Sequence, residues 1–133
     1  MNGINIQSPW STLLINGEKC VETRTYPLPE KYEGEKLALI ETPGKSGRFK
    51  SRIIGTITFS HSFKYPNEQS WIDDYNRHKV PKSDKLFSWN ENKEKWGWVV
   101  SDVNKFDHYY EPPIKRGIVF ANNFNLFMPS GAA

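Results

Sequence analysis

The hydrophobic and polar positions of the chain change period several times. In SPWSTLLING (residues 8–17), Trp10, Leu13 and Leu14 recur at i, i+3 and i+4, the spacing of one helical face. Ser8 is of a type that caps helix N-termini, Pro9 suits the first helical position, and Gly17 suits the left-handed position past the end, so a short docked helix is expected here. From Cys20 to Tyr26 the pattern becomes alternating and β-branched, a strand stopped by Pro27 and Pro29. The runs Lys36–Thr42 and Arg52–Phe59 have strand composition, the first closed by Pro43-Gly44. Asn67–Lys79 sets Trp71, Ile72 and Tyr75 at helical spacing, with acids early and Arg77, His78 and Lys79 late, as the helix dipole favours. Residues 80–95 read as a surface loop anchored by Phe87 and Trp89, and Lys95–Asp102 and Gly117–Ala121 as further strands.

Five or six short strands, two or three helices and no internal repeat predict an α+β fold around a small β-barrel, closed to protect its edges. At 133 residues this is one domain, taken as 1–128 with a frayed tail at 129–133.

Composition narrows the classes. Aromatic residues are 14% of the chain, so aromatic packing supplies much of the core. The lone cysteine, Cys20, permits neither an intramolecular disulfide nor a thiolate zinc site. No apolar run approaches a membrane span and the N-terminus lacks signal-peptide character, so a cytoplasmic protein without membrane association is expected. The net charge is only +3, but its distribution is uneven. Residues 1–66 hold nine basic and six acidic side chains, and the remainder nine of each. The segment KSGRFKSR concentrates Lys45, Arg48, Lys50 and Arg52 with no carboxylate, a candidate phosphate-tracking loop with Phe49 among its cations; the plain alternative is a solvated hairpin.

Within the strand, Glu22 and Arg24 share a face and can bond each other or a planar polar ligand; a structural ion pair would look the same. Lys19, at the helix-to-strand junction, could lose pKa if desolvated and act as base or nucleophile. Trp10, Tyr26, Trp96 and Trp98 are candidates for stacking on a base, with core packing the simpler role for Trp10 and Trp98. Tyr26 at the strand end is the better stacking candidate, and Thr42 and Glu41 could line a cleft. His61, His78 and His108 have no ligand spacing, so neither a metal nor a cofactor is expected.

Taken together, Ser8-Pro9-Trp10, the run Leu13 to Lys19, Val21-Glu22-Thr23-Arg24, Gly34 before Leu37–Ile40, and the later Trp98 to Val103 and Pro113 to Gly117 resemble the ASCH (activating signal cointegrator homology) family of the PUA-like superfamily. The resemblance covers residues 4–42 well and 96–120 loosely. It implies a β-barrel with a helix-bordered cleft that binds RNA or modified nucleosides; Ser8, Trp10, Lys19, Glu22, Arg24, Tyr26 and Thr42 are expected to be the ligand-binding residues of that cleft. Some ASCH-like proteins are amidohydrolases of N4-acetylcytidine that use a Lys, a Thr and a distant Glu. Lys19 matches that Lys, whereas Glu22 stands at the Thr position and Thr23 points to the opposite face. Three functions are therefore carried forward: binding of RNA or a modified nucleoside by a monomer or weak dimer; hydrolysis of a nucleoside or RNA, with Lys19 and Glu22 catalytic; and a protein-interaction module.

Overall fold

The structure is a computed structural model that describes residues 1–44 and 47–126. Lys45 of the basic loop and the expected frayed tail lie outside the described residues. Six strands form one curled sheet: β1 (Gly3–Gln7), β2 (Val21–Arg24), β3 (Lys36–Thr42), β4 (Arg52–Lys64), β5 (Trp96–Tyr110) and β6 (Phe120–Ala121). Their order is β2-β5-β4-β3-β1-β6. β1 and β3 run parallel and every other pair is antiparallel. Three short helices accompany the sheet: α1 (Trp10–Ile15), α2 (Glu68–Asp73) and α3 (Tyr75–His78). The expected α+β fold around a small β-barrel is observed, with the sheet curled into a half-barrel whose edge strands β2 and β6 do not pair.

The curl has local causes. The β4–β5 ladder shifts register at Ile53/Gly55, Thr58/Phe59 and Phe59/His61, and each bulge bends the strand and raises its twist. At Gly55 a Cβ would stand 2.2 Å from the Asn104 carbonyl oxygen and 2.7 Å from Ile15 Cδ1, so only glycine lets β5 and α1 come this close. The bending brings the β2 side of the sheet back toward β1 and β6. Side chains bridge that seam: an Arg24 Nη2 hydrogen donates to the Asn5 carbonyl at 3.2 Å, and Trp98 stacks on Phe120 with centroids 6.1 Å apart.

The main core fills the concave side, with Ile4, Ile6, Leu14, Leu37, Leu39 and Trp98 at its centre. β3 is buried on both faces, because Ala38 and Ile40 join a second cluster with Ile53 and Phe124. A third cluster, Tyr65, Trp71 and Val80 with Phe87 and Trp89 against it, holds the long excursion between β4 and β5.

Several expectations change. Ser8 does not cap α1; Pro9 occupies the cap position and no side chain bonds the free N–H groups. Gly17 does take the left-handed conformation, with φ of +80°. The helix expected over 67–79 is two helices broken at Asp74; Asn67 caps the first through a capping box with Ser70, and Tyr75 faces solvent. β4 and β5 run well beyond the expected Phe59 and Asp102. The strand expected at 117–121 shrinks to Phe120–Ala121, with Ile118 96% exposed. β1 was not anticipated, although Ile4 and Ile6 alternate; five residues are too few for the period to stand out.

Candidate functional site

A cavity of about 910 Å³ opens at the barrel seam. One wall is β1 and β2. At the end of α1, Gly17 turns the chain and the Lys19 N–H donates to the Leu13 carbonyl at 3.0 Å. β2 then pairs with β5, Glu22 opposite Trp98 and Arg24 opposite Trp96, and strand alternation puts Glu22 and Arg24 on one face. The second wall is the excursion, from Val80 through Phe87 and Ser88 to Lys95, and the third is residues 114–119.

Charge dominates the β2 wall. Lys19 is 1% exposed; its Nζ donates to the His78 carbonyl at 2.5 Å, lies 3.5 Å from Glu22 Oε1, and sits 5.3 Å from the centre of the Trp10 ring. Glu22, itself 6% exposed, accepts from Arg24 Nη2 at 3.0 Å through Oε2. The Arg24 guanidinium lies over Trp98, whose Nε1–H donates to the Tyr26 carbonyl at 3.0 Å. Burial holds the Lys19 ammonium below the usual lysine range, and the Glu22 carboxylate opposes that shift.

Beneath this wall His78 is buried and neutral. The Val80 N–H donates to its Nδ1 at 2.9 Å, which leaves the ring proton on Nε2 to bond the Trp71 carbonyl at 2.6 Å. The ring stacks on Trp71, 4.9 Å between centres. Burial pushes its pKa down, and the Lys19 and Lys95 charges push the same way.

The structure brings Trp10, Lys19, Glu22, Arg24, Tyr26 and Thr42 to the one cavity. Ser8 is not among its lining residues; its backbone N–H bonds the Thr42 carbonyl at 2.8 Å. Arg48 and Lys50 are exposed and lie off the cavity. Arg52 is committed elsewhere. Its Nη2 lies 2.9 Å from buried Glu41, which also accepts from Ser11 and Thr12, and its guanidinium stacks over Phe49 and Tyr109. Glu41 is thus a structural carboxylate. Cys20 is exposed and is not among the residues that line the cavity. Trp96 bonds Glu94 at the surface.

Sequence reasoning did not find Lys95, Asn5 or Arg116. Arg116 Nε donates to Asn5 Oδ1 at 3.1 Å on the β1 side of the seam, and Lys95 Nζ donates to the Phe87 carbonyl at 2.7 Å. Lys95 follows a polar loop and so resembles any solvated lysine; the one hint was the aromatic flank of Phe87, Trp89 and Trp96. Among the described residues no group of three or more His, Cys, Asp or Glu side chains is placed to hold a metal ion. None of the described helices is long and apolar enough to cross a membrane.

No protein-family model and no curated protein matches the chain. Solved structures do. The ASCH protein of Zymomonas mobilis is similar at 14% identity and TM-score 0.58, over 76% of this chain and 66% of that one. A mutant protein of it is similar at TM-score 0.57, also at 14% identity, over 76% of this chain and 67% of that one. The chain therefore spans about two thirds of the length of those structures. The six-stranded half-barrel with its flanking short helices is the fold of an ASCH domain.

Proposed function

We propose that the seam cavity binds a nucleobase, presented either by a modified nucleoside or by an RNA base turned out of its strand. The observation that carries this reading is the row Lys19, Glu22, Arg24 on the cavity wall, with Trp10 at one end and Tyr26 at the other, and with buried Trp98 backing the Arg24 guanidinium. Each Glu22 oxygen is held by one cation and keeps a lone pair for a ligand N–H, while the Nε and Nη1 hydrogens of Arg24 have no protein acceptor among the described residues. The row offers donor, acceptor, donor. Its complement is a base edge with an N–H between two acceptors, and aromatic faces beside such an edge add stacking on the order of 1–3 kcal/mol per base.

A second reading, hydrolysis of an acylated nucleoside or of RNA, is favoured by one observation. Burial lowers the Lys19 pKa, and a carboxylate stands 3.5 Å away, a pairing suited to proton transfer. The missing hydroxyl at the Glu22 position argues for binding without turnover.

Titrating the protein with uridine, cytidine, N4-acetylcytidine and short single-stranded RNAs, while scoring product formation, tests both. Saturable binding lost in Lys19→Ala, without turnover, is the expected result. Multiple-turnover deacylation that disappears in Lys19→Ala would replace binding with hydrolysis.

A further inference from the structure

The cavity is electrically one-sided. Among the described residues it is lined by five cations, Lys19, Arg24, Lys93, Lys95 and Arg116, and by two carboxylates, Glu22 and Glu94. Both carboxylates are already engaged: Glu22 bridges Lys19 and Arg24, and Glu94 at the surface bonds Lys64 and the Trp96 Nε1–H. Lys93, Lys95 and Arg116 form no ion pair with any described carboxylate.

Lys95 is the informative member. It is 8% exposed, and a buried ammonium is costly unless a counter-charge or hydrogen-bond acceptors satisfy it. Its Nζ donates to the Phe87 and Ser88 carbonyls at 2.7 and 3.3 Å and sits 5.4 Å from the Trp71 ring centre. Two of its three protons are thus placed, and the third has no protein acceptor among the described residues. Phe87 also meets Trp10 edge-to-face at 6.1 Å, and Trp10 covers Lys19, so one aromatic pair joins the two ammonium groups. Both are held below the usual lysine range, chiefly by burial; at Lys95 the Asp84 carboxylate opposes the shift and the Lys19 charge adds to it. A dianion at the Lys95 ammonium would relieve that cost.

We propose that Lys95 is a phosphate subsite, so that the cavity takes a nucleotide carrying a phosphate monoester, either a free mononucleotide or the phosphorylated end of an RNA. The inference rests on the base-binding reading for the remainder of the ligand. In this arrangement the base lies along Lys19, Glu22 and Arg24, and the phosphate lies beside Phe87 and Ser88, whose carbonyls hold the Lys95 ammonium in place.

The test is calorimetric titration, at one ionic strength, of uridine and cytidine, their 5′-monophosphates, inorganic phosphate, and a tetranucleotide RNA with and without a 5′-phosphate. The monophosphate is expected to bind at least about tenfold more tightly than its nucleoside, and Lys95→Met to abolish that advantage while nucleoside affinity stays within about twofold. A preference for the phosphorylated tetranucleotide over the mononucleotide identifies an RNA end as the source, and the reverse identifies a free nucleotide. Equal affinity for nucleoside and monophosphate would overturn the subsite and leave base binding standing. Phosphate bound as well as nucleotide, with no nucleoside binding, would overturn the base reading and support the subsite; silence toward every probe would overturn both. Should Lys95→Met not fold, side-chain amine NMR of the unaltered protein decides: saturating monophosphate must shift the Lys19 and Lys95 Nζ signals, and unmoved signals overturn the proposal.

Discussion

Lys19 and Glu22 form a buried ion pair, Nζ to Oε1 at 3.5 Å, in which the carboxylate also serves as the partner of Arg24. Removing the shared member strands two cations at once. Glu22→Ala is expected to destabilise the fold by about 3–5 kcal/mol, while Glu22→Gln, which keeps shape and one acceptor, should cost about 1–3 kcal/mol. Urea unfolding of the two variants checks the order.

The exposed cations of the basic loop make a separate prediction. If Arg48 and Lys50 track phosphates, the double change to Ala lowers RNA affinity and flattens its salt slope by about one unit for each lost contact. Arg52→Ala should behave differently, because it leaves the buried Glu41 carboxylate short of its cation; its main effect is a lowered urea midpoint. An unchanged salt slope in the double variant removes this loop from the binding surface.

His78 gives the fold a pH dependence of definite sign. Burial depresses its folded-state pKa below 6.5, opposed by the bond to the Trp71 carbonyl, and it is faced by Lys19, Lys95, Asp74, Tyr65 and Tyr75. The unfolded chain therefore binds the extra proton first. Stability is full above about pH 6.5 and falls as pH drops from there toward the depressed folded value. Melting temperatures from pH 7.5 to 5 should show this decline, and His78→Gln should show a shallower one.

Cys20 is exposed and free, and its thiol is not among the groups lining the cavity. Cys20→Ser is expected to change stability by no more than about 0.5 kcal/mol and to leave ligand affinity unaltered. A loss of binding in a variant with an unchanged circular dichroism spectrum would place this thiol in the site after all.

What the sequence made legible follows from where the physical signal is local. β3 was readable to the residue because a continuous apolar run, Leu37 to Ile40, is bounded by Gly34 and by Pro43-Gly44. β5 was readable only as far as Asp102. Its outer half is held by ladder bonds to β4 and by the partly buried Val103, Phe106 and Tyr110, whose spacing of three and four is not the alternation that marks a strand. The site divides the same way. Lys19, Glu22, Arg24 and Trp10 lie within one helix-to-strand unit, so their proximity is written in their spacing. Lys95 and Arg116 reach the cavity through the closing of the barrel, a contact between distant segments that no window of sequence contains.

The excursion that carries Phe87, Ser88 and Lys95 leaves the sheet after Lys64 and re-enters at Trp96, and these two residues face each other in the β4–β5 ladder. The barrel also leans on what hangs between these anchors: the His78 carbonyl accepts from Lys19, the Arg77 carbonyl accepts from the Cys20 N–H at 2.9 Å, and Phe87 packs on Trp10. An exchange of residues 65–95, with their own aromatic cluster of Tyr65, Trp71 and Val80 travelling along, has to keep the acceptors that His78 and Arg77 supply if β2 and its charged row are to stay in place. Ligand preference in this architecture can therefore diversify through the insert's cavity-facing stretch, Leu86 to Asn90, only as far as those shared contacts survive.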